Sequence, residues 1–545
     1  MKKILYPLIF ILFASLILSV PAFSDSQAVP ARAADTMMTQ YFKWVEMGAA
    51  ALPEIKSAIA GDNWRMKTHA LLAAGKIGDK SMVPQILDRL RHDTNRAVKN
   101  CAVKALGDLK AKQALPVLLE VLNPETPGVA NEPVPDKKLI IGALGKIGDK
   151  QAVIPLCRLL FSSRNEEVKN TIAKAIIAIG DSRASLFILS AHRKDPGLSG
   201  FPLMQAAAII GRLPVKNGED FLLTLVSDNP APVRNAAADA LSRAGTYKSI
   251  PTLVSSFATP DPFFRKKIGA ALVAISAESS VSPMCDFLKN PDKPIAMDAA
   301  DVLSRMNTDT IAEAVFSRLK EDPVYNAAAA YVLGAKAYDP AIPVLRTRLQ
   351  MSGQPGRDEM AEALGRMKDR ESIPLLISIA KQEVPDGPAG AVRALGEMKA
   401  NQAMPVLFSL LEGRNPRLMD SVIFALGEIG DPAAARPLID LYYESGLKYQ
   451  FQVGLALAQI GGRNVAQFIK DNMESGNTKR RRMAGFMLLK SKDKTLIPYA
   501  LSLLDDQDKS IRTCALGALK NMTGLSYDTP GKWKAWGAEK HPARK

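Results

Sequence analysis

The sequence predicts an all-α protein, a right-handed α-solenoid of about 15 stacked helix pairs. A short sequence word recurs about every 31 residues over most of the chain, and its repeats carry apolar stripes with helical spacing. The chain has 545 residues, of which 47% are apolar and 23% charged. It is therefore too long for one compact core and too apolar to be disordered.

The recurring word is Ala-Leu-Gly-x-Ile-Gly-Asp, which stands at residues 143–149 and 425–431. We call its first Gly, and the equivalent residue of every other repeat, the anchor. Most successive anchors are 31 residues apart, a spacing typical of stacked helix pairs. The anchors are Gly75, Gly107, Gly145, Ile177, Gly211, Ser242, Val273, Ser304, Gly334, Gly365, Gly396, Gly427, Ala458, Leu489 and Lys520.

Each repeat predicts two helices. Between Val233 and Ala244, apolar residues recur every three or four positions and form one stripe on a first helix. A Gly three positions after the anchor, such as Gly78 or Gly245, is predicted to end that helix in the left-handed conformation. A Pro such as Pro405 then opens the second helix, because its missing N–H costs nothing in the first turn. Neither helix can bury its apolar face alone, so we expect neighbouring repeats to stack.

The first residues predict export. Lys2 and Lys3 precede an uncharged apolar run, residues 4–20, and small residues around Ser24 follow it. This order is typical of a secretory signal peptide, which we place at residues 1–24; an uncleaved membrane anchor is the alternative. With no Cys before Cys101 there is no lipid attachment motif. We expect a periplasmic or extracellular protein with no transmembrane span after cleavage. A flexible linker at 25–40, repeats at 41–525, and a C-terminal cap and basic tail at 526–545 complete the predicted organisation.

The repeated word resembles the short HEAT repeats of the phycobilisome-lyase-like type, and the resemblance covers about residues 41–523. It implies a ladder between repeats, in which a basic residue eight positions before the anchor pairs with an Asp four positions after it. In the middle of the array the acidic position holds residues such as Thr246 and Ala277, so the ladder is expected to fail there. The predicted ladder residues are Lys67, Asp79, Lys137, Asp149, Lys169, Asp181, Arg357, Asp369, Arg481 and Asp493.

The sequence contains no recognisable catalytic or metal-binding motif. Deoxyhypusine hydroxylase, a HEAT family, binds two iron ions through His-Glu pairs, but none of the four His here is followed by Glu. Equivalent cysteines, Cys101 with Cys514 and Cys157 with Cys285, lie several repeats apart, too far for a disulfide. We therefore predict no cofactor, no metal and no enzymatic activity, and we interpret the cysteines as small apolar side chains.

The formal net charge is +16, and residues 479–545 hold 15 Lys or Arg against 6 Asp or Glu. A second basic stripe stands one position after the anchor and is interrupted by Asp108, Glu397 and Glu428. A basic surface favours anionic partners. We predict an exposed partner-binding patch near the C-terminus; simple solubility of the last repeats is the alternative. The predicted patch residues are Arg480, Arg482, Lys490, Lys492 and Lys494.

Together these features predict an exported, non-enzymatic scaffold for protein–protein interaction or complex assembly in the cell envelope. The sequence does not identify the protein partner, and export argues against a nucleic acid. Two alternatives stay open: that the chain is an accessory subunit of an enzyme, or that it binds an anionic lipid or glycan of the envelope.

Overall fold

The computed structural model describes residues 31–122, 134–194, 202–227, 229–351, 353–445, 448–491, 493–527 and 529–540, with only the backbone described for residues 31–37. These residues form α-helices and short 3₁₀ turns, and no β-strand occurs among them. The chain divides into two units, residues 1–221 and 222–545. The predicted signal peptide and Lys492 lie outside the described residues.

The first unit begins with one helix pair ahead of the first anchor and continues with helix pairs that each carry one anchor. Its helices are α1 (Ala31–Met47), α2 (Leu52–Ala60), α3 (Trp64–Ile77), α4 (Val83–His92), α5 (Arg96–Asp108), α6 (Leu115–Leu122), α7 (Lys137–Ile147), α8 (Val153–Ser162), α9 (Glu166–Ile179), α10 (Arg183–Lys194) and α11 (Leu203–Arg212). The helix α12 (Gly218–Val226) contains the boundary with the second unit.

The second unit repeats the same pairing. Its helices are α13 (Ala231–Ala244), α14 (Ile250–Phe257), α15 (Pro262–Ile275), α16 (Val281–Asp286), α17 (Lys293–Arg305), α18 (Ile311–Glu321), α19 (Asn326–Ala335), α20 (Ile342–Gln350), α21 (Arg357–Arg366), α22 (Ile373–Ala380), α23 (Pro388–Glu397), α24 (Met404–Glu412), α25 (Met419–Ile429), α26 (Ala435–Glu444), α27 (Gln450–Ile460), α28 (Gly462–Met473), α29 (Thr478–Lys490), α30 (Ile497–Ser502), α31 (Lys509–Thr523) and α32 (Pro530–Lys540).

Every predicted anchor lies in the first helix of a pair, which confirms the repeat and the all-α solenoid class. Within each unit, the first helix of one repeat packs against the first helix of the next. Apolar side chains of both helices of each repeat, such as Leu426 and Leu438, are fully buried between neighbours. The core therefore runs along the stack of repeats, and each repeat depends on its neighbours to cover its apolar faces.

The anchor is Gly in many repeats because the first helices approach each other closely there. A Cβ placed on Gly145 would lie 2.9 Å from the Cα of Ala175, and one on Gly396 would lie 2.6 Å from the Cα of Ala425. Each of these Ala residues stands two positions before the anchor of the following repeat. The recurring word thus marks the place where two helix backbones touch. Only a residue without a side chain leaves room for that contact.

The position three residues after the anchor adopts the left-handed conformation in most repeats, but the sequence predicts its occupants only in part. Gly78 has a φ of +88°, as expected. The prediction is wrong for Gly245, whose φ of −72° and ψ of 147° are extended. Conversely, Lys110 and Lys368 adopt the left-handed conformation, with φ of 50° and 57°. The left-handed end of the first helix is therefore not restricted to repeats that carry Gly at this position.

Both ends of the array carry buried Trp side chains. Trp44 of α1 is buried and α1 packs against α3. The segment expected to be a flexible linker, residues 25–40, is therefore helical from Ala31 onward, because burial of the following turns stabilises the helix. At the other end α32 packs on α30, and Trp533 is buried with its ring centroid 4.9 Å from that of Tyr527.

Candidate interaction surfaces

Several of the basic residues eight positions before the anchors bind backbone carbonyl groups that precede their own helices. Lys99 Nζ donates to the carbonyl oxygen of Arg91 at 3.3 Å, and Arg481 Nη1 donates to that of Ser475 at 3.1 Å. Arg512 Nη1 contacts the carbonyl oxygen of Asp506 at 2.7 Å in the same way. These carbonyl groups belong to the connection from the preceding second helix, so the basic residue fixes the entry into each new repeat.

The acidic residues four positions after the anchors cap the turn that opens the second helix. The Asp79 carboxylate accepts a hydrogen bond from the backbone N–H of Ser81 at 2.8 Å, and this bond lowers the pKa of Asp79. Asp149 and Asp493 accept from the N–H two residues further on in the same manner. Thr246 caps its turn with a hydroxyl oxygen instead. The cap needs an oxygen rather than a charge, so it survives at Thr246, whereas Ala277 provides no side-chain cap.

The predicted ladder is therefore wrong: among the residues that the structure describes, no ladder Asp pairs with a ladder Lys or Arg. The Asp carboxylates accept from backbone N–H groups of the turn that follows them, and basic residues such as Arg481 donate to the connection before their own helix, so the two sets do not meet between repeats. The observed contacts are Lys67 with Asp93, Lys169 with Glu166, Arg481 with Asp506, Arg357 with Gln382, Asp181 with Arg183 and Asp369 with Arg346, while Lys137 is exposed.

Ionic contacts between repeats occur elsewhere, along the exposed edge of the first helices. Lys146 Nζ lies 2.6 Å from Asp108 Oδ1, and both stand one position after their anchors. Gln459 Nε2 donates to Glu428 Oε1 at 2.8 Å from the same positions. Asp108, which interrupts the basic stripe in the sequence, is thus the ion-pair partner of a basic residue of that stripe, Lys146. Alternating sign at one repeat position was the signal that could have revealed this ladder.

The same edge continues between α19 and α25 as a network of charges and aromatic rings. Glu362 is bound by Arg366 at 3.1 Å and by Arg393 at 3.3 Å, and burial raises its pKa although both guanidinium groups oppose this. The guanidinium of Arg366 lies 5.1 Å from the ring centroid of Tyr331, and that of Arg393 lies 4.7 Å from the ring of Phe424. Between α19 and α25, these charges of the first-helix edge therefore contact one another or aromatic rings.

The structure divides the predicted C-terminal patch. Arg482 Nη2 lies 2.6 Å from Asp508 of the following repeat, whereas the guanidinium of Arg480 lies 5.5 Å from the ring centroid of Tyr443 in an earlier one. Two residues apart on a helix, these side chains leave it about 200° apart. Lys490 lies over the ring of Phe486 at 5.8 Å, and Lys494 is exposed. The described cations do not form one cluster, and their binding of a partner stays a prediction.

We expect charge reversal to separate the structural cation from the exposed ones. Arg482→Glu should lower the thermal midpoint, because it sets a carboxylate against Asp508, which caps α31. The double change Arg480→Glu with Lys494→Glu should leave the midpoint unchanged.

If anionic headgroups are the partner, the double change and added salt should both abolish cosedimentation with phosphatidylglycerol vesicles. The control is Arg158→Glu with Lys174→Glu, an equal change of net charge in the first unit. Equal cosedimentation of both double variants would contradict a headgroup site.

The second helices of the second unit present a different surface, which we call the second-helix face. It consists of the exposed or half-buried side chains thirteen positions after the anchors. Most of these side chains are small and uncharged, so a partner backbone can approach the helices closely. The hydroxyl residues at this position are Ser255, Ser317, Thr347, Ser378, Ser409 and Ser502, and the carboxylates are Asp286, Asp440 and Asp471.

An open groove of about 460 Å³ lies beside this face at α20. Its walls are mostly apolar, and Arg348 is its charged residue. The lining residues are Pro323, Pro343, Val344, Thr347, Arg348, Met351 and Gln354. A smaller groove of about 280 Å³ lies between α28 and α30, where Lys470, Glu474, Asp505 and Asp506 contribute charges of both signs.

The cysteines offer no reactive site. All four are free thiols, and Cys157 and Cys285 are buried. Burial raises the pKa of Cys157 to about 12 and that of Cys285 to about 11, so both thiols are protonated at neutral pH. In the described parts of the chain, no three His, Cys, Asp or Glu side chains are grouped so as to hold a metal ion. Nor do those parts contain a helix with the length and apolar character needed to cross a membrane.

Comparison with protein families agrees with this architecture. The family model for HEAT repeats matches residues 52–132 and 382–458, and the model for PBS lyase HEAT-like repeats matches residues 357–382. The matched segments of the chain are HEAT repeats. The matched segments lie in both units and include the α21–α25 region, where Gly anchors recur in successive repeats.

Among curated proteins, no relative matches this chain. Among solved structures, human deoxyhypusine hydroxylase in complex with glycerol is similar at 18% identity, covering 47% of this chain and 99% of that one, with a TM-score of 0.22. Importin beta is similar at 13% identity, covering 89% and 74%, with a TM-score of 0.36. The Kap95:Nup1 complex is similar at 12% identity, covering 88% and 74%, with a TM-score of 0.39. At these scores the likenesses carry no functional argument.

Proposed function

We propose that this protein is an exported scaffold that binds a protein partner in the cell envelope through its second-helix face. HEAT repeats support a role in protein interaction, because stacked repeats offer long surfaces with equivalent positions. The observation that carries the choice of face is the contrast between the two sides. On the first-helix edge, charges such as those of Lys146 and Asp108 pair with one another, whereas the side chains of the second-helix face are mostly small and uncharged and a groove lies beside them.

Export is supported by the sequence of residues 1–24, with its basic start, apolar run and small residues around Ser24. The proposal assigns no reaction to the chain. A partner that proved to be an enzyme would make the chain its accessory subunit, which is the alternative that the sequence leaves open.

The test determines both where in the cell the protein is located and which of its surfaces contacts the partner. The mature chain isolated from the native envelope should begin near Asp25. A photoreactive phenylalanine derivative replaces Thr347, Ser378 or Ser409 on the second-helix face, or Tyr331 or Phe424 on the first-helix edge as aromatic controls. We expect the three second-helix positions to crosslink to one common protein and the controls not to. Crosslinks from the controls alone, or an intracellular chain that retains Met1, would contradict the proposal.

A further inference from the structure

We propose that the groove beside α20 binds an extended peptide segment of the protein partner in which a carboxylate is flanked by apolar side chains, with the carboxylate on Arg348. This inference rests on the proposed scaffold function and names the chemistry of its partner. The chemistry of the bound segment is inferred from the apolar residues that line the groove and from the unpaired charge of Arg348 within it.

The walls select apolar side chains. Pro323, Pro343, Val344 and Met351 are the apolar residues that line the groove. Met351 is 49% exposed, and the neighbouring Val324 is 51% exposed. Apolar side chains of a bound segment would remove this surface from water, which favours binding at about 25 cal/mol per Å² of buried apolar area. The groove is open to solvent, so the segment can continue in both directions along the face.

Arg348 supplies the charge. Its Nη1 donates to Asn326 Oδ1 at 2.6 Å, and its Nη2 reaches the carbonyl oxygen of Lys320 only at 3.5 Å. Both acceptors are neutral, and among the residues that the structure describes no carboxylate forms an ion pair with Arg348. Asp322 acts on it electrostatically from a greater distance, while partial burial lowers its pKa. The guanidinium is therefore partly desolvated without an ion-pair partner. The carboxylate of a bound peptide would neutralise its charge and accept its hydrogen bonds.

In the preceding repeat, the arginine at the equivalent position, Arg318, is paired with carboxylates of the same chain. Arg318 and Arg348 both stand fourteen positions after their anchors. Arg318 Nη2 lies 3.2 Å from Asp286, and its Nη1 lies 3.5 Å from Glu321. Although burial acts against it, these carboxylates raise the pKa of Arg318. At Arg318 the chain itself supplies the carboxylates that neutralise the arginine, whereas at Arg348 no described carboxylate forms an ion pair.

Arg348 is also held in position. Asn326 is fully buried at the start of α19, and its Nδ2 contacts Gln354 Oε1 at 3.4 Å. The amide therefore aims the guanidinium at the groove before any ligand binds, which reduces the conformational cost of binding. A single guanidinium suits a single carboxylate. The nearby ammonium group of Lys320 lies 4.6 Å from the ring centroid of Phe316 and is thereby engaged, so the donor set does not favour a phosphate group.

The test uses the full chain and an array of decapeptides that carry one Glu or Asp between apolar residues, each beside its Gln or Asn counterpart. We expect acidic members of the array to bind, and Arg348→Met to weaken them by about tenfold or more, the effect of losing a charge-assisted hydrogen bond. Arg318→Met, the matched control, should leave the same peptides unaffected. Thr347→Trp should also abolish binding, because it fills the groove without changing Arg348, which guards against a folding defect in the first variant.

The outcomes separate this proposal from the scaffold proposal. If no peptide depends on Arg348, or if Arg318→Met weakens binding equally, the groove proposal is wrong, while crosslinks from the second-helix face would still support the scaffold. If peptides bind at Arg348 but no crosslinked protein is found in the envelope, the scaffold proposal fails and the groove chemistry stands. Equal binding of acidic and amide peptides would overturn the role assigned to the carboxylate.

Discussion

Leu426→Ala is expected to lower the free energy of unfolding of its repeat and its neighbours by about 2–5 kcal/mol. Leu426 is fully buried in α25, a helix that packs against α23, α24 and α27. Removing its side chain loses apolar burial and leaves a cavity that the stacked helices cannot readily fill. Urea unfolding measured by amide hydrogen exchange gives the change for each repeat.

The loss of protection should be local, since each repeat contacts only its neighbours. Amides of α23 to α28 should exchange faster, and those of α3 to α9 should keep their rates. The control is Leu186→Ala on α10, where the side chain is 53% exposed and its removal should change stability by about 0.5 kcal/mol or less. Exchange that rises evenly over all repeats would contradict a stack with nearest-neighbour coupling.

Gly145→Val is expected to destabilise the first unit by about 3 kcal/mol, whereas Gly142→Val on the same helix should be nearly neutral. The Cβ of a residue at 145 would lie 2.9 Å from the Cα and 3.0 Å from the Cβ of Ala175, so α7 and α9 would have to separate. A Cβ at 142 meets nothing within 4 Å.

The pair isolates packing from helix propensity, because both positions lie in α7 and receive the same side chain. The measurement is the urea midpoint, with hydrogen exchange of α7 and α9 as the local readout. Equal effects at the two positions would mean that the recurring Gly serves the helix itself rather than the contact between repeats.

The sequence predicted the repeat and its helices well because these depend on local patterns. The anchors, the apolar stripes and the Pro residues all act within one helix pair, and every anchor lies in a first helix as expected. The Asp after the anchor was also correctly singled out as important. Its role was wrong, since Asp79 and Asp149 cap the following turn rather than pair with a basic residue.

The surface features were harder to predict, because they depend on residues a full repeat apart. The contact between Lys146 and Asp108 joins positions that the sequence presents as a stripe and its interruption. Arg482 was predicted to be free for a partner, yet Asp508 of the next repeat binds it. Charge counted along the chain does not tell which cations are already neutralised across the stack.

By itself the sequence determined that this chain is a stack of helix pairs and where each pair begins, because period and local propensity are written in neighbouring residues. Only the tertiary structure decided which charges are paired and which groove is open. Arg318 and Arg348 occupy the same repeat position and look alike in the sequence. Asp286, at the end of α16, reaches the first, and no described carboxylate pairs with the second. Side-chain distances between helices set that difference, and these follow from packing rather than from the repeat pattern.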